Sequence, residues 1–180
     1  MAATYNNLYL DARKRLREAG VEGAQLEARE LVCCAAGKSR EQFYRDMALY
    51  ASDPVEEKLA ELLERRLAGE PVAYLIGEWE FYGLGLDITP DVLIPRMDTE
   101  VLAERAILLA RAAGEGARVL DLCAGSGCVG LAVAANVPGC RAVLADVSEA
   151  ALRLCKQNVR RNDCLLYTSP SPRDVATSRM

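Results

Sequence analysis

One stretch of this chain combines residue types and spacing that could do chemistry: Val119-Leu120-Asp121-Leu122-Cys123-Ala124-Gly125-Ser126-Gly127-Cys128-Val129-Gly130. An apolar run delivers the backbone into a glycine-rich turn, where the absence of a Cβ lets main-chain amides approach a ligand closely. The residues that follow read as a helix, whose first N–H groups have no partner inside it and aim back at the turn. Asp146 ends a second apolar run, roughly twenty residues further on, where a carboxylate can accept hydrogen bonds from a ribose diol. Loop and acid together describe a pocket for an adenosine-containing cofactor. Gly125, Gly127 and Gly130 also spell G-x-G-x-x-G, so the glycines alone leave a dinucleotide dehydrogenase open.

Other chemistries are limited by composition. The chain has no histidine, which removes the usual general base near neutral pH. Its seven cysteines (33, 34, 123, 128, 140, 155 and 164) form no C-x-x-C pair, so free thiols in a reducing cytoplasm are expected and a metal site is not. Acids and bases are interspersed, with a net charge of −4 and no basic stripe, which argues against direct nucleic-acid binding. Mean hydropathy is near zero at +0.01. No apolar run approaches membrane-spanning length, and the first residues lack a signal-peptide pattern. A cytoplasmic globular protein is the expectation.

The elements that must position the loop follow from periodicity. Leu8, Ala12, Leu16 and Ala19 recur at helical spacing, as do Ala24, Ala28, Leu31 and Ala35 before Gly37. Ser39 can cap a short helix through Met47. Asp53-Pro54 starts another, with Leu59, Leu62, Leu63 and Leu67 as its apolar face and Gly69 as its stop. Residues 1–69 therefore read as a helical bundle. From Glu70 the composition turns aromatic and β-branched, and Leu84, Leu86 and Ile88 alternate with polar or small residues, so a β-hairpin linker is expected over 70–97. Asp98 and Glu100 suit the positive end of the next helix, for which Leu102, Ala106, Leu109 and Ala113 form the apolar face. Strand, loop, helix, strand (Arg141–Ala145) and a helix capped by Ser148, with Leu152, Cys155 and Val159 on its apolar side, then imply parallel strands in a doubly wound α/β sheet.

Three features separate the loop from that of a dehydrogenase. Asp121 stands before the glycines in a D-x-x-x-G-x-G pattern, the loop follows a whole helical module, and the linker is distinctive. GEPVAYLIGEWEFYGLGLDITPDVLIPRMDTE resembles the linker of the release factor glutamine methyltransferases, the PrmC/HemK family. The hallmark I-P-R-x-D-T-E of that family is matched by Ile94-Pro95-Arg96-Met97-Asp98-Thr99-Glu100. DLCAGSGCVGLAVA is similar to its cofactor loop, with Cys123 and Ala124 where Gly and Thr are often seen, and Met97 stands where Pro is frequent. The resemblance covers residues 1 to 163.

It implies an N-terminal helical bundle for substrate recognition, a hairpin, and over 98–163 the first part of a class I, Rossmann-like methyltransferase domain that uses S-adenosyl-L-methionine. It also implies that Cys123, Ala124, Gly125, Ser126 and Gly127 contact the cofactor's methionine and ribose portions, and that Asp146 takes the ribose hydroxyls. Arg96, Asp98 and Glu100 either shape the cofactor entrance or cap a helix. Tyr74, Trp79, Phe81 and Tyr82 either meet adenine or cover the hairpin. The partner implied is a peptide-chain release factor, methylated on the glutamine of its Gly-Gly-Gln loop by an enzyme that is monomeric at full length. The family's acceptor motif, N-P-P-Y, occurs nowhere in the chain; Asn136 and Asn158 each precede Val. No catalytic residue is thus assigned, and the chain by itself is expected to be inactive. A ribosomal-protein glutamine methyltransferase, from which Asp98-Thr99-Glu100 diverges, and a non-catalytic release-factor-binding fragment are the alternatives. Cys164 to Asp174, CLLYTSPSPRD, resembles one frame of a transposon-type sequencing adapter, so 164–180 is expected to be a non-native tail behind a domain of only two strands.

Overall fold

The computed structural model describes residues 3–163 and the backbone of Tyr167–Thr168. The chain divides into two compact units, Met1–Ile76 and Gly77–Met180.

The first unit is built from α1 (Tyr5–Glu18), α2 (Ala24–Ala36), α3 (Arg40–Asp46), α4 (Asp53–Leu67) and α5 (Val72–Ile76). Tyr5, Ala12 and Leu16 of α1 pack with Ala28, Leu31 and Val32 of α2, Phe43 of α3, and Leu59, Leu62 and Leu63 of α4. The local signals act where the sequence places them. Gly37 ends α2 in the left-handed conformation at φ 61°. Ser39 and Gln42 form a reciprocal capping box on α3. The Asp53-Pro54 start is displaced by one residue, because Ser52 takes the cap position of α4 and Asp53 opens the helix. Leu67 is partly exposed rather than part of the core face.

The helical unit does not end at Gly69. Val72–Ile76, read above as the entry to a hairpin, is the short helix α5, with Ala73 and Leu75 buried. Leu75 joins the bundle core, with Val72 and Ile76 packed against it. Burial of this apolar run overrides its β-branched composition. Tyr74 accordingly belongs to the bundle unit and not to the hairpin.

The second unit opens with the antiparallel hairpin β1 (Glu78–Phe81) and β2 (Leu84–Asp87). Tyr82 and Gly83 turn it, with φ of 51° and 75°. Phe81, Leu86 and Ile88 are buried, as the alternation requires. Next come α6 (Met97–Ala112), β3 (Arg118–Leu122), α7 (Cys128–Asn136), β4 (Arg141–Ala145) and α8 (Glu149–Arg161). β3 and β4 are parallel, with Val119 opposite Ala142 and Asp121 opposite Leu144. Val119 packs on Ile107 and Ala110 of α6 and Val133 of α7, and Leu144 packs on Cys155 of α8. These three helices thus share the sheet face that carries Val119 and Leu144. Leu120 and Leu122, on the other side of β3, are 59% and 64% exposed.

Two further expectations are corrected. The buried face of α6 is Ala103, Ile107 and Ala110, while Leu102 and Leu109 are exposed. Apolar residues nearly encircle this helix, so periodicity cannot choose among its faces. The sheet also has a third strand: β5 (Tyr167–Thr168) pairs in parallel with Val143 and Leu144 of β4. Strand addition at an open edge is a backbone interaction and demands little of side-chain pattern. The rest of the 164–180 segment lies outside the described residues.

Candidate cofactor site

The loop after β3 is held from three directions. Cys123 leaves the strand at φ 59°, a left-handed conformation that costs a non-glycine residue about 1–2 kcal/mol. The Ala124 N–H donates to the Ala145 carbonyl at 3.1 Å, fastening the loop to the end of β4. The Gly127 N–H donates to the Ala124 carbonyl at 2.7 Å and closes the turn. Gly125 and Gly127 adopt φ of 55° and 83°, which only glycine accepts without strain.

Asp146 stands across from this turn. Its Oδ2 accepts the Gly125 N–H and its Oδ1 accepts the Ser148 N–H, both at 2.9 Å. Each carboxylate oxygen keeps a lone pair for a hydroxyl donor. The expected loop residues and the expected acid are therefore brought together: Cys123 is exposed, Gly125 and Asp146 are half-buried, and Ala124, Ser126 and Gly127 are buried.

Asp121 has a separate task. Gly127, the N-cap of α7, has no side chain to cap with, and Asp121 supplies the acceptor instead, taking the Gly130 N–H on Oδ2 at 2.9 Å. Burial pushes its carboxyl above the ordinary range, opposed by that hydrogen bond and reinforced by the nearby Asp146 charge. A Cβ at Gly130 would overlap Leu144 Cδ2 and lie 3.1 Å from Asp121 Oδ2. The third glycine of the motif thus serves helix–strand packing and not ligand approach.

Whether this loop suits a polar cofactor can be tested on two observations. A Cβ built on Gly125 would meet no atom within 4 Å, so the loop faces open space there. Ser126 is 2% exposed, and among the described residues its Oγ meets no hydrogen-bond partner beyond the nearby Cys128 thiol. An open cradle beside a buried hydroxyl that bonds no oxygen or nitrogen fits a polar ligand lying along the loop. Among the described residues no cluster of His, Cys, Asp and Glu could hold a metal ion.

Other candidates lie elsewhere. Arg96 and Asp98 are exposed at the start of α6. Glu100 Oε1 accepts the Tyr82 N–H at 3.2 Å, so it fastens the hairpin turn to α6. Phe81 is core, and Tyr82 packs against the cluster of Ile107 and Val133. One residue was passed over: Asn158 is fully buried and bonds both Asp87 and Ser126. Its signal was legible, since with Ala151 and Cys155 it makes an i, i+4, i+7 core stripe containing one amide.

Comparison with known proteins adds the family. Residues 7–77 match the PrmC N-terminal domain, and residues 85–178 match the Methyltransferase small domain. The chain is 38% identical over 139 residues to a release factor glutamine methyltransferase of Coxiella burnetii, covering 77% of this chain and 50% of that protein. It is 44% identical over 143 residues to the protein of the same name from Bordetella pertussis, covering 76% and 50%. The Geobacter sulfurreducens counterpart is 38% identical over 150 residues, covering 83% and 52%. The chain spans about half the length of these relatives. No helix among the described residues is long and apolar enough to cross a membrane. With the helical module matched ahead of the hairpin and the glycine loop and its acid inside the second match, the chain belongs to the Methyltransferase small domain family.

Proposed function

We propose that the protein to which this chain belongs transfers a methyl group from S-adenosyl-L-methionine to the side-chain amide nitrogen of a glutamine in a peptide-chain release factor, in the cytoplasm and as a monomer. The observation that carries this reading is the Gly125–Asp146 arrangement, found in a chain whose relatives bear that enzyme's name. When bound, the sulfonium donor would supply an activated methyl carbon for transfer to the amide nitrogen. Cys123 to Gly127 would hold the donor along the open side of the loop at Gly125, and Asp146 would accept from the ribose hydroxyls. An amide nitrogen is a poor nucleophile, so rate depends on alignment and on preorganised dipoles.

The test is to express the whole gene and offer its product radiolabelled S-adenosyl-L-methionine with a purified release factor. Label is expected in the Gly-Gly-Gln peptide and lost when that glutamine is replaced by alanine. No label in the release factor, or methylation of an added ribosomal protein in its place, would overturn the assignment.

A further inference from the structure

The hairpin and the cofactor loop meet at one side chain. Asn158 on α8 is 0% exposed, and its carboxamide makes three hydrogen bonds. Oδ1 accepts the Asp87 N–H at 2.6 Å. Nδ2 donates to the Asp87 carbonyl at 3.1 Å and to the Ser126 carbonyl at 2.9 Å. Both amide hydrogens and one oxygen lone pair are used, and the surroundings dictate the orientation of the group: two carbonyls face the nitrogen and one N–H faces the oxygen.

Neighbouring bonds show how firmly α8 grips the hairpin. Arg161 pairs with Glu78 Oε2 at 2.9 Å and with Asp87, and Asn162 Nδ2 donates to the Gly85 carbonyl at 3.0 Å. Gly85 leaves room for this, since a Cβ there would lie 3.3 Å from the Arg161 guanidinium. On the other side, the Cys155 thiol, one turn back along α8, donates to the Gly125 carbonyl at 3.1 Å. α8 therefore holds β2 with one set of groups and the loop with another, and Asn158 belongs to both.

We propose that Asn158 is a positioning residue that makes the shape of the cofactor loop conditional on the seating of the β-hairpin. The Ser126 carbonyl is fixed only while the amide is aimed at it, and Asp87 aims the amide. A buried carbonyl that loses its donor is costly, so release of β2 lets the Ala124–Gly127 turn open. By reciprocity, a ligand that stabilises the turn also stabilises the seated hairpin. This takes the loop to be the donor site, as proposed above.

The experiment is amide hydrogen exchange on the full 180-residue chain, followed at Asp87, at Gly127 and, as a core reference, at Leu144 of β4. In a series of low denaturant concentrations, Asp87 and Gly127 are expected to open together, with one free energy and one denaturant dependence, below the opening of Leu144. Separate openings, or opening only in step with Leu144, would overturn the proposal without recourse to a variant. Asn158→Ala is expected to speed exchange at Gly127 roughly tenfold, the loss of about one buried hydrogen bond, with Leu144 unchanged; loss at Asp87 alone would contradict it. Asn158→Asp adds a signature that simple loss of packing would not produce. Its carboxylate would repel the Ser126 and Asp87 carbonyls, and protonation would restore one donor, so protection at Gly127, corrected for intrinsic exchange, should recover as pH falls through that carboxyl's raised pKa. A flat pH profile would count against the proposal. S-adenosyl-L-homocysteine added to the wild-type chain separates the two readings: shared opening without binding retains the coupling and sinks the donor site.

Discussion

The Asp146 carboxylate and the Gly125 amide are joined at 2.9 Å, so the acid at the end of β4 is bound to the backbone of the loop that follows β3. The residue expected to receive the ribose also shapes the loop expected to receive the rest of the donor. Asp146→Ala removes both functions, and a charge-assisted hydrogen bond is worth about 1.5–3 kcal/mol. Affinity for S-adenosyl-L-homocysteine is expected to fall at least about tenfold, with Asp146→Asn intermediate because its amide oxygen can still accept from Gly125. Titration calorimetry of the three proteins checks this; equal affinities would separate Asp146 from the site.

Gly130 is fixed by packing. Alanine there would improve helix propensity by about 1 kcal/mol, but its Cβ would overlap the fully buried Leu144 side chain and crowd the Asp121 carboxylate. Overpacking costs about 1–3 kcal/mol, so Gly130→Ala is expected to lower the Tm of the second unit despite the better helix former. An unchanged or raised Tm in a thermal melt would show that Leu144 has room to move.

The thiols should differ in reactivity. Burial pushes Cys155 up to about 12 and Cys33 up to about 11, which leaves almost no thiolate at pH 8. Cys123 is exposed at the mouth of the loop. Brief treatment with iodoacetamide is expected to modify Cys123 and spare Cys33 and Cys155, and the added group should block the donor. Peptide mapping reads the sites; labelling of Cys155 ahead of Cys123 would contradict the placement of α8 over the loop.

In the bundle unit, Asp46 lies between Arg45 and Lys38 at 2.9 Å and 2.7 Å. Hydrogen bonds from Arg45 and then Lys38 hold its carboxyl down at about 2. A depressed folded pKa stabilises above the unfolded value, about 3.9, and that contribution is lost as pH falls toward 2. Wild type should therefore melt above Asp46→Asn at pH 6, with the gap closing between pH 4 and about 2. A gap that stays constant over this range would assign the stabilisation to something other than the charge.

Helix ends and the site loop were legible because their determinants are local. Gly37, Ser39 with Gln42, and Ser148 each act within a few residues, and Gly125, Gly127 and Asp146 stand where a strand–turn–helix plan places them. What escaped the sequence depended on distant partners. Val72–Ile76 has strand-like composition, and only the bundle core makes it a helix. The buried face of α6 is chosen by Val133 of α7 and Val137 just after it, among several equivalent apolar stripes. Glu100 and Asn158 bond to Tyr82 and Asp87, residues far from them along the chain, and neither partnership has a sequence spacing to reveal it.

The central claim is that the turn from Ala124 to Gly127, with Asp146 opposite, receives an adenosyl sulfonium donor. The most direct test titrates S-adenosyl-L-homocysteine and, separately, NAD into the protein expressed from its whole gene, with Gly125→Val as a second sample. Binding of S-adenosyl-L-homocysteine alone, abolished by Gly125→Val, is the expected result. Binding of NAD instead, or uptake of S-adenosyl-L-homocysteine that survives a side chain at Gly125, would contradict it.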